Sequence, residues 1–119
     1  MTTPSVPQAV QSCHELLLWL VPQLDKFPRV RRFTLGERIE AGLLEVLELL
    51  VEAAYSRNKE APLRRANLQL EVVRHLWRLA HELKVMATRR YEHGATLIDD
   101  LGRQIGGWLR SQTPAQAHT

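Results

Sequence analysis

The chain has 119 residues and a formal net charge of +3, and 45% of its residues are hydrophobic against 24% charged. This composition excludes intrinsic disorder, and the length fits one domain with a real core rather than an enzyme with separate cofactor and substrate lobes. The single cysteine, Cys13, excludes an internal disulfide. No secretory signal is visible, and the longest apolar run, residues 16–21, is far shorter than a membrane span. These features predict a soluble cytoplasmic protein that does not bind a membrane.

The first half of the chain predicts two helices. The first covers about residues 8–24, and Pro22 is expected to disturb or shorten its last turn. The second begins at Thr34, which we predict to be the N-cap because Glu37 follows three residues later in a capping-box pattern. Its apolar periodicity continues to about Tyr55 or two residues beyond.

The second half predicts two more helices. The third begins near Pro62, a residue type favoured in the first helical turn, and runs to about Met86. The fourth runs from about Thr88, a suitable cap, to about Arg110. We separate the two because one helix over both would be far longer than is usual in so small a domain. The predicted organisation is a flexible N-terminus at 1–7, a four-helix-bundle domain at 8–111 and a disordered tail at 112–119.

Two adjacent apolar stripes run along both the second and the third helix. Each apolar arc covers more than half of the helical wheel, whereas a helix packed on one side needs a stripe of roughly 100°. Four such helices with short turns predict an all-α, up-and-down antiparallel bundle. The wide arcs indicate either deeply buried central helices or a second apolar face for oligomerisation, and the apolar residues spread around the first helix favour the oligomer. The stripes comprise Leu35, Ile39, Leu43, Val46, Leu50 and Ala53 beside Leu44, Leu47, Val51 and Ala54, and then Leu70, Val73, Trp77 and Ala80 beside Leu68, Val72, Leu76, Leu79 and Leu83.

No pattern in the sequence supports catalysis or metal binding. His14 and His81 each begin an H-E-x-x pattern, but Leu18 and Val85 follow where the zinc-protease motif needs a second histidine. Cys13 lies among apolar positions of the first helix, which is typical of a small core residue. The sequence has neither a G-x-S-x-G motif nor a glycine-rich phosphate loop. We therefore predict a non-enzymatic protein without catalytic residues, cofactor or metal.

The few aromatic residues do not form a visible stacking platform for nucleic acid. Trp77 and Trp108 fall on apolar faces and are interpreted as core residues. The pair Gly106 and Gly107 predicts either close helix packing or a helix end. Single-strand binding by stacking needs exposed aromatics beside a basic groove. Without them, the remaining route to nucleic acid is phosphate contact by arginine and lysine, which is salt-sensitive and independent of base sequence.

Positive charge is concentrated in two clusters and one helix face. In an up-and-down bundle, successive loops lie at opposite ends, so the two clusters cannot form one patch within one chain. The third helix carries arginines on a polar stripe that also holds Glu71 and Glu82, so an ordinary solvated face and a functional face both remain open. The first cluster spans residues 26–32 between the first two helices, with Arg29, Arg31 and Arg32; the second comprises Arg57, Lys59, Arg64 and Arg65; the stripe carries Arg74 and Arg78.

Four stretches of the chain together resemble a known family. They are K-F-P-R-V-R-R-F-T-L-G-E-R-I-E at 26–40, L-E-V-L-E-L-L-V-E-A-A-Y-S-R-N-K at 44–59, L-R-R-A-N-L-Q-L-E-V-V-R-H-L-W-R-L-A-H-E-L-K at 63–84 and I-G-G-W-L at 105–109. In combination they resemble the Avd group, the accessory variability determinants of diversity-generating retroelements. That group is related to four-helix proteins encoded in ribosomal-RNA intervening sequences.

The resemblance implies a non-enzymatic protomer of a homopentameric barrel with a basic surface. Such a protein associates with the reverse transcriptase of its element and with template RNA or DNA, and so supports mutagenic retrohoming. By resemblance, the positions expected to bind are Arg29, Arg31, Arg32, Arg74 and Arg78; on charge alone we add Arg57, Lys59, Arg64 and Arg65. The alternative is a relative of the intervening-sequence proteins that binds nucleic acid or protein outside a retroelement.

Overall fold

The computed structural model describes residues 7–112, and this part of the chain is helical with short turns and contains no strand. The chain forms α1 (Gln8–Leu24), α2 (Arg29–Arg31), a π-helical segment (Arg32–Gly36), α3 (Glu37–Tyr55), α4 (Glu60–Glu82) and α5 (Thr88–Ser111). Each of the four long helices packs against two others: α1 and α4 both contact α3 and α5. This arrangement confirms the predicted four-helix bundle.

The predicted flexible ends fall mainly outside the described residues. Residues 1–6 and 113–119 are not among them, while Pro7 and Gln112 are the N-cap of α1 and the C-cap of α5. The helices between these caps therefore span nearly the same range as the predicted bundle domain.

One side of each long helix fills a continuous apolar core. Leu20 of α1, Leu43 of α3, Trp77 of α4 and Ile98 of α5 are all at most 1% exposed. Burying large aliphatic and aromatic side chains of this kind contributes about 1.5–3 kcal/mol each to folding. Cys13 is fully buried, as predicted, with its thiol 3.9 Å from the Leu43 carbonyl oxygen.

The first helix tolerates its proline better than predicted. α1 runs from Gln8 to Leu24, as predicted, and continues through Pro22, so the proline does not shorten the helix. Proline removes one backbone donor to the carbonyl four residues earlier. Pro22 and Leu18, one turn before it, are both exposed, so that carbonyl lies on the solvent side of the helix, where water can bond to it.

The second helical rod begins five residues earlier than predicted. Helical backbone starts at Arg29, directly after the N-cap Pro28, and continues through the π-helical segment into α3. Thr34 is not a cap, because its hydroxyl donates to the Val30 carbonyl oxygen at 2.9 Å inside the rod. Phe27, in the turn between α1 and α2, is buried, and its N–H donates to the Leu24 carbonyl oxygen at 3.0 Å. These contacts hold the turn directly before the first residue of α2. The first basic cluster is therefore largely helical rather than a loop.

The break between the third and fourth predicted helices is real but begins earlier. α4 ends at Glu82 rather than near Met86, because Lys84 adopts a left-handed conformation with φ of 63°. The N–H of Lys84 donates to His81 (2.9 Å) and that of Val85 to Ala80 (3.1 Å), both to carbonyl oxygens. These two bonds form a Schellman motif, in which the left-handed position is usually glycine. The N-cap of α5 is Ala87, so Thr88 is its first helical residue rather than its cap.

The close helix packing predicted for Gly106 and Gly107 occurs at a different glycine. α5 runs through Gly106 and Gly107, and a Cβ on Gly107 would meet only the Arg110 side chain at 3.8 Å. Neither close packing nor a helix end therefore explains this pair. The close approach occurs at Gly94 of α5, where a Cβ would come within 2.5 Å of the Trp77 ring.

Candidate nucleic-acid and partner interface

Arg74 joins α4 to α5 instead of projecting freely from the polar stripe. Its Nε donates to Asp99 Oδ1 at 3.0 Å, and its Nη1 pairs with Glu71 on its own helix. A Cβ on Gly102 would come within 2.9 Å of Arg74 Nη2, so the guanidinium lies close over α5. Burial alone would lower the pKa of Arg74, but the bonds and charges of the two carboxylates outweigh it and raise the pKa. This predicted binding residue therefore forms a bridge between two helices at the surface of the bundle.

The exposed pairs on α4 hold their arginines much less tightly. Arg78 Nε bonds to Glu82 at 3.0 Å, and Arg64 bonds to Glu60 at 2.6 Å, both one helical turn away. The hydrogen bond from Arg78 to Glu82 raises the pKa of Arg78. Exposed pairs of this kind contribute little to stability, so a phosphate group can replace the carboxylate at small cost. Both arginines stay candidates for binding.

Lys59 has a structural position at the end of α3. Its Nζ donates to the carbonyl oxygens of Ala53 (2.9 Å), Ala54 (3.3 Å) and Ser56 (2.8 Å). The last carbonyls of a helix lack intrahelical partners, and a cation there also interacts favourably with the helix dipole. All three ammonium donors are used, so Lys59 is poorly placed to contact phosphate.

Arg29 of α2 and Arg32 of the π-helical segment lie beside an exposed aromatic ring. The guanidinium carbons of Arg29 and Arg32 lie 5.9 Å and 5.6 Å from the centre of the Phe33 ring, which is 54% exposed. Arg32 also pairs with Asp25 at 3.2 Å, across the turn from α1. An exposed ring beside cations is the arrangement that single-stranded nucleic acids use for stacking. The sequence does not predict this arrangement, because a phenylalanine in a helical pattern gives no sign of whether its ring is buried.

The fold gathers further cations at the α2 end of the bundle. Arg31 and Arg38 line a groove of about 690 Å³ together with Leu79 and Leu83 from the end of α4. The turn that follows α4 and the start of α5 therefore lie at this end as well, although they are about 50 residues away in sequence. We define the basic end as Arg29, Arg31, Arg32, Arg38, Lys84 and Arg89, all of them exposed. Arg38, Lys84 and Arg89 are not among the predicted binding residues, because they lie outside the two basic clusters of the sequence.

The second predicted cluster lies at the opposite end, as expected. Arg57 and Arg65 are exposed there and have no ion-pair partner among residues 7–112. The 19 residues of α3 separate Arg57 from the basic end by about 28 Å. The two basic groups therefore cannot contact one short ligand within one chain.

The outer apolar stripes remain exposed in the single chain. On α3 the exposed residues are Leu44 and Val51, and on α4 they include Val72 and Leu79. Trp108, predicted to be core, is only half-buried and borders a second cavity beside the start of α1. The wide apolar arcs are therefore not explained by burial within the bundle.

Two classes of site are absent from the described part of the chain. Residues 7–112 contain no group of three or more histidine, cysteine or acidic side chains placed to hold a metal ion. Nor does any helix in that range combine the length and apolar character needed to cross a membrane.

Comparison with known proteins supplies a family for this geometry. A protein-family model described as bAvd-like matches residues 9–112, which is almost the whole helical bundle. The match confirms the resemblance indicated by the four sequence stretches. No curated protein matches the chain.

Proposed function

Since the chain belongs to the bAvd-like family, we propose that it is a non-enzymatic accessory protein of a diversity-generating retroelement. It binds the reverse transcriptase of the element and its template RNA or DNA, and so supports mutagenic retrohoming. The polymerase chemistry belongs to the partner. The family match over nearly the whole bundle is the observation that carries this proposal.

The basic end is the surface that we assign to nucleic acid. Arg29 and Arg31 are exposed and have no carboxylate partner among the described residues, and Phe33 offers a ring for stacking. Arginine contacts phosphate with two parallel hydrogen bonds, and these contacts need no particular base sequence. Arg74 and Lys59 leave the proposed binding set, because Arg74 pairs with both Glu71 and Asp99 and Lys59 donates to three backbone carbonyl oxygens.

Self-assembly is the second part of the proposal, and a homopentamer is the assembly we expect. Exposed apolar residues on α3 and α4 favour association, since monomeric proteins rarely leave long apolar stripes in water. A ring of chains would also repeat the +3 charge of each subunit on a shared surface. Such repetition strengthens electrostatic attraction to nucleic acid.

The test combines co-purification with quantitative RNA binding. The reverse transcriptase encoded beside the gene should co-purify with the chain, and RNA affinity should fall steeply as salt rises, with little dependence on sequence. The double variant Arg31→Glu and Arg38→Glu should weaken RNA binding by about tenfold or more and reduce the magnitude of the salt slope by about two. Arg103→Glu is the control, because Arg103 pairs with Asp100 on α5, away from the basic end.

Each outcome bears on a different part of the proposal. Undiminished RNA binding by the double variant would remove the basic end from the interface. RNA binding without any association with the reverse transcriptase would favour the alternative, a bundle related to the intervening-sequence proteins. A strict monomer at working concentrations would contradict the assembly.

A further inference from the structure

A cavity of about 520 Å³ lies at the end of the bundle opposite the basic end, and the proposed function does not involve it. The start of α1, the end of α3 with the turn after it, and the last turns of α5 border it. Its wall is largely apolar and includes the half-buried Trp108, while Lys59 and Gln104 are among its few polar side chains. No acidic residue of the described part of the chain lines it. A largely apolar concavity with a few polar groups is typical of a site for a small ligand.

Gly107 leaves one part of this wall without a side chain. Glycine inside a helix is less favourable than alanine, because it loses more conformational freedom on folding. Gly107 nevertheless lies inside α5, where a Cβ would meet only Arg110 Nη2, at 3.8 Å. Packing within the described part of the chain therefore does not require glycine at this position. A ligand in the cavity would require it, because a side chain at position 107 would take up part of the same space.

The side-chain amide of Gln104 lines the same cavity with an unpaired oxygen. Its Oε1 is buried and has no hydrogen-bond partner within residues 7–112. An unpaired buried oxygen is unfavourable, so a ligand that donates a hydrogen bond to it is stabilised. Trp108 follows four residues later, which places it on the same side of α5. Proteins bind unpaired nucleobases by stacking them on aromatic side chains and by hydrogen bonds to their edges, so an amide beside an indole favours a nucleobase.

The wall of the cavity is also positively charged. The three donors of Lys59 bond to carbonyl oxygens at the end of α3, which holds its charge beside the cavity. α1 begins in the wall at Gln8, with neither a side-chain cap nor an acidic residue in its first turn. The start of a helix carries partial positive charge, and its N–H groups bind phosphate well. The cavity therefore favours a ligand that combines a nucleobase with a phosphate group.

We propose that this cavity binds one nucleotide unit, with its base against Trp108 and Gln104 and its phosphate at the start of α1. The unit is a free nucleotide or one nucleotide of a single strand, since both present the same base and phosphate. The site uses none of the residues of the basic end, so it stands or falls independently of the surface assigned to nucleic acid above.

Calorimetric titration of the full chain with two kinds of probe tests the proposal and identifies the source of the nucleotide. AMP, GMP, CMP and UMP represent the free nucleotide, and a short single-stranded RNA represents the strand. The RNA is titrated into the double variant Arg31→Glu and Arg38→Glu, so that the basic end contributes little to the measured affinity.

Three variants change the cavity, and one neighbouring variant serves as the control. Trp108→Leu removes the indole, Gln104→Leu removes the amide, and Gly107→Leu places a side chain in the cavity. Gly106→Leu introduces the same residue at the adjacent helical glycine, which does not line the cavity. The helical signal and the melting temperature are recorded for every variant.

At least one probe should bind the parent chain, and its affinity should fall about tenfold or more in Trp108→Leu and in Gly107→Leu. Gln104→Leu should bind more weakly as well but melt at a higher temperature, because the unpaired buried oxygen is gone. Gly106→Leu should bind like the parent chain. Binding of a mononucleotide identifies the free nucleotide as the ligand, and binding of RNA alone identifies the strand.

Two results would overturn the proposal. The first is that no probe binds, or that Gly107→Leu binds as well as the parent chain. The second is a large drop in the melting temperature of Gly107→Leu, which would show that the chain itself already fills the space beside this glycine. Neither result bears on the reverse transcriptase or on the basic end, so failure here is distinguishable from failure of the proposed function.

Discussion

Lys84 offers the sharpest test of how the α4–α5 turn is stabilised. It holds the left-handed position of the Schellman motif, with φ of 63°, and its side chain is exposed. This conformation destabilises the folded state by about 1–2 kcal/mol for a residue with a Cβ, whereas glycine adopts it without this cost. Glycine also gains about 0.5–1 kcal/mol of conformational freedom in the unfolded chain, which offsets part of that relief. Lys84→Gly should therefore raise the free energy of unfolding by about 0.5–1 kcal/mol.

Chemical denaturation at one fixed protein concentration measures this gain, since assembly would otherwise make stability depend on concentration. The melting temperature should rise by about 3 °C for a chain of this length. Lys84→Ala is the matched control: it removes the same charge but keeps the Cβ, so its stability should stay within about 0.5 kcal/mol of the parent chain. If Lys84→Gly were no more stable than Lys84→Ala, relief of the left-handed backbone would not be the cause, and the reasoning would fail.

Three further predictions concern other parts of the bundle. Gly94→Ala should lower the free energy of unfolding by about 1–3 kcal/mol, because the new methyl group would overlap the Trp77 ring. Gly107→Ala has room for the methyl group and should raise the free energy of unfolding by about 0.5–1 kcal/mol. Urea titrations of the two variants measure both changes. Burial raises the pKa of the Cys13 thiol to about 12, so a thiol reagent at pH 8 should label Cys13 only after unfolding. The free energy of unfolding should decline from about pH 9 upwards, because the thiol ionises in the unfolded chain but not in the folded one. Labelling of the native chain at the rate of a free thiol would contradict this prediction. Arg74→Gln should lower stability by up to about 1 kcal/mol through loss of the bridge between α4 and α5, and an unchanged denaturation midpoint would show that the bridge is dispensable.

The helices and the core follow from the sequence because both depend on local periodicity. Residues such as Leu43 and Trp77 recur at helical spacing, and burial of that side is the one arrangement that removes them from water. Helix ends depend on single residues and are harder to predict. The end of α4 is set by a lysine in a left-handed conformation, and lysine carries no sequence signal for that position.

The candidate site depends on pairings that a linear sequence does not contain. Arg74 and Asp99 are 25 residues apart, and only the packing of α4 on α5 brings them to 3.0 Å. Lys59 resembles any solvated lysine until the end of α3 is placed beside its ammonium group. Charge can therefore be counted from the sequence, but which cations remain available to a ligand is decided by the fold.

The π-helical segment Arg32–Gly36 acts in geometric terms as a one-residue insertion in a continuous helical rod. A π turn contains one residue more than an α turn, so the chain before it is rotated by about 100° from the position that an unbroken α-helix would give it. Arg29 and Arg31 therefore face a different side of the rod from the one they would face if α2 and α3 formed one unbroken α-helix. Deleting a single residue inside the segment would rotate α2 about the axis of the rod, although Arg29 and Arg31 would both be retained. The direction in which Arg29 and Arg31 face, relative to the rest of the basic end, therefore depends on the number of residues in this segment as well as on their types.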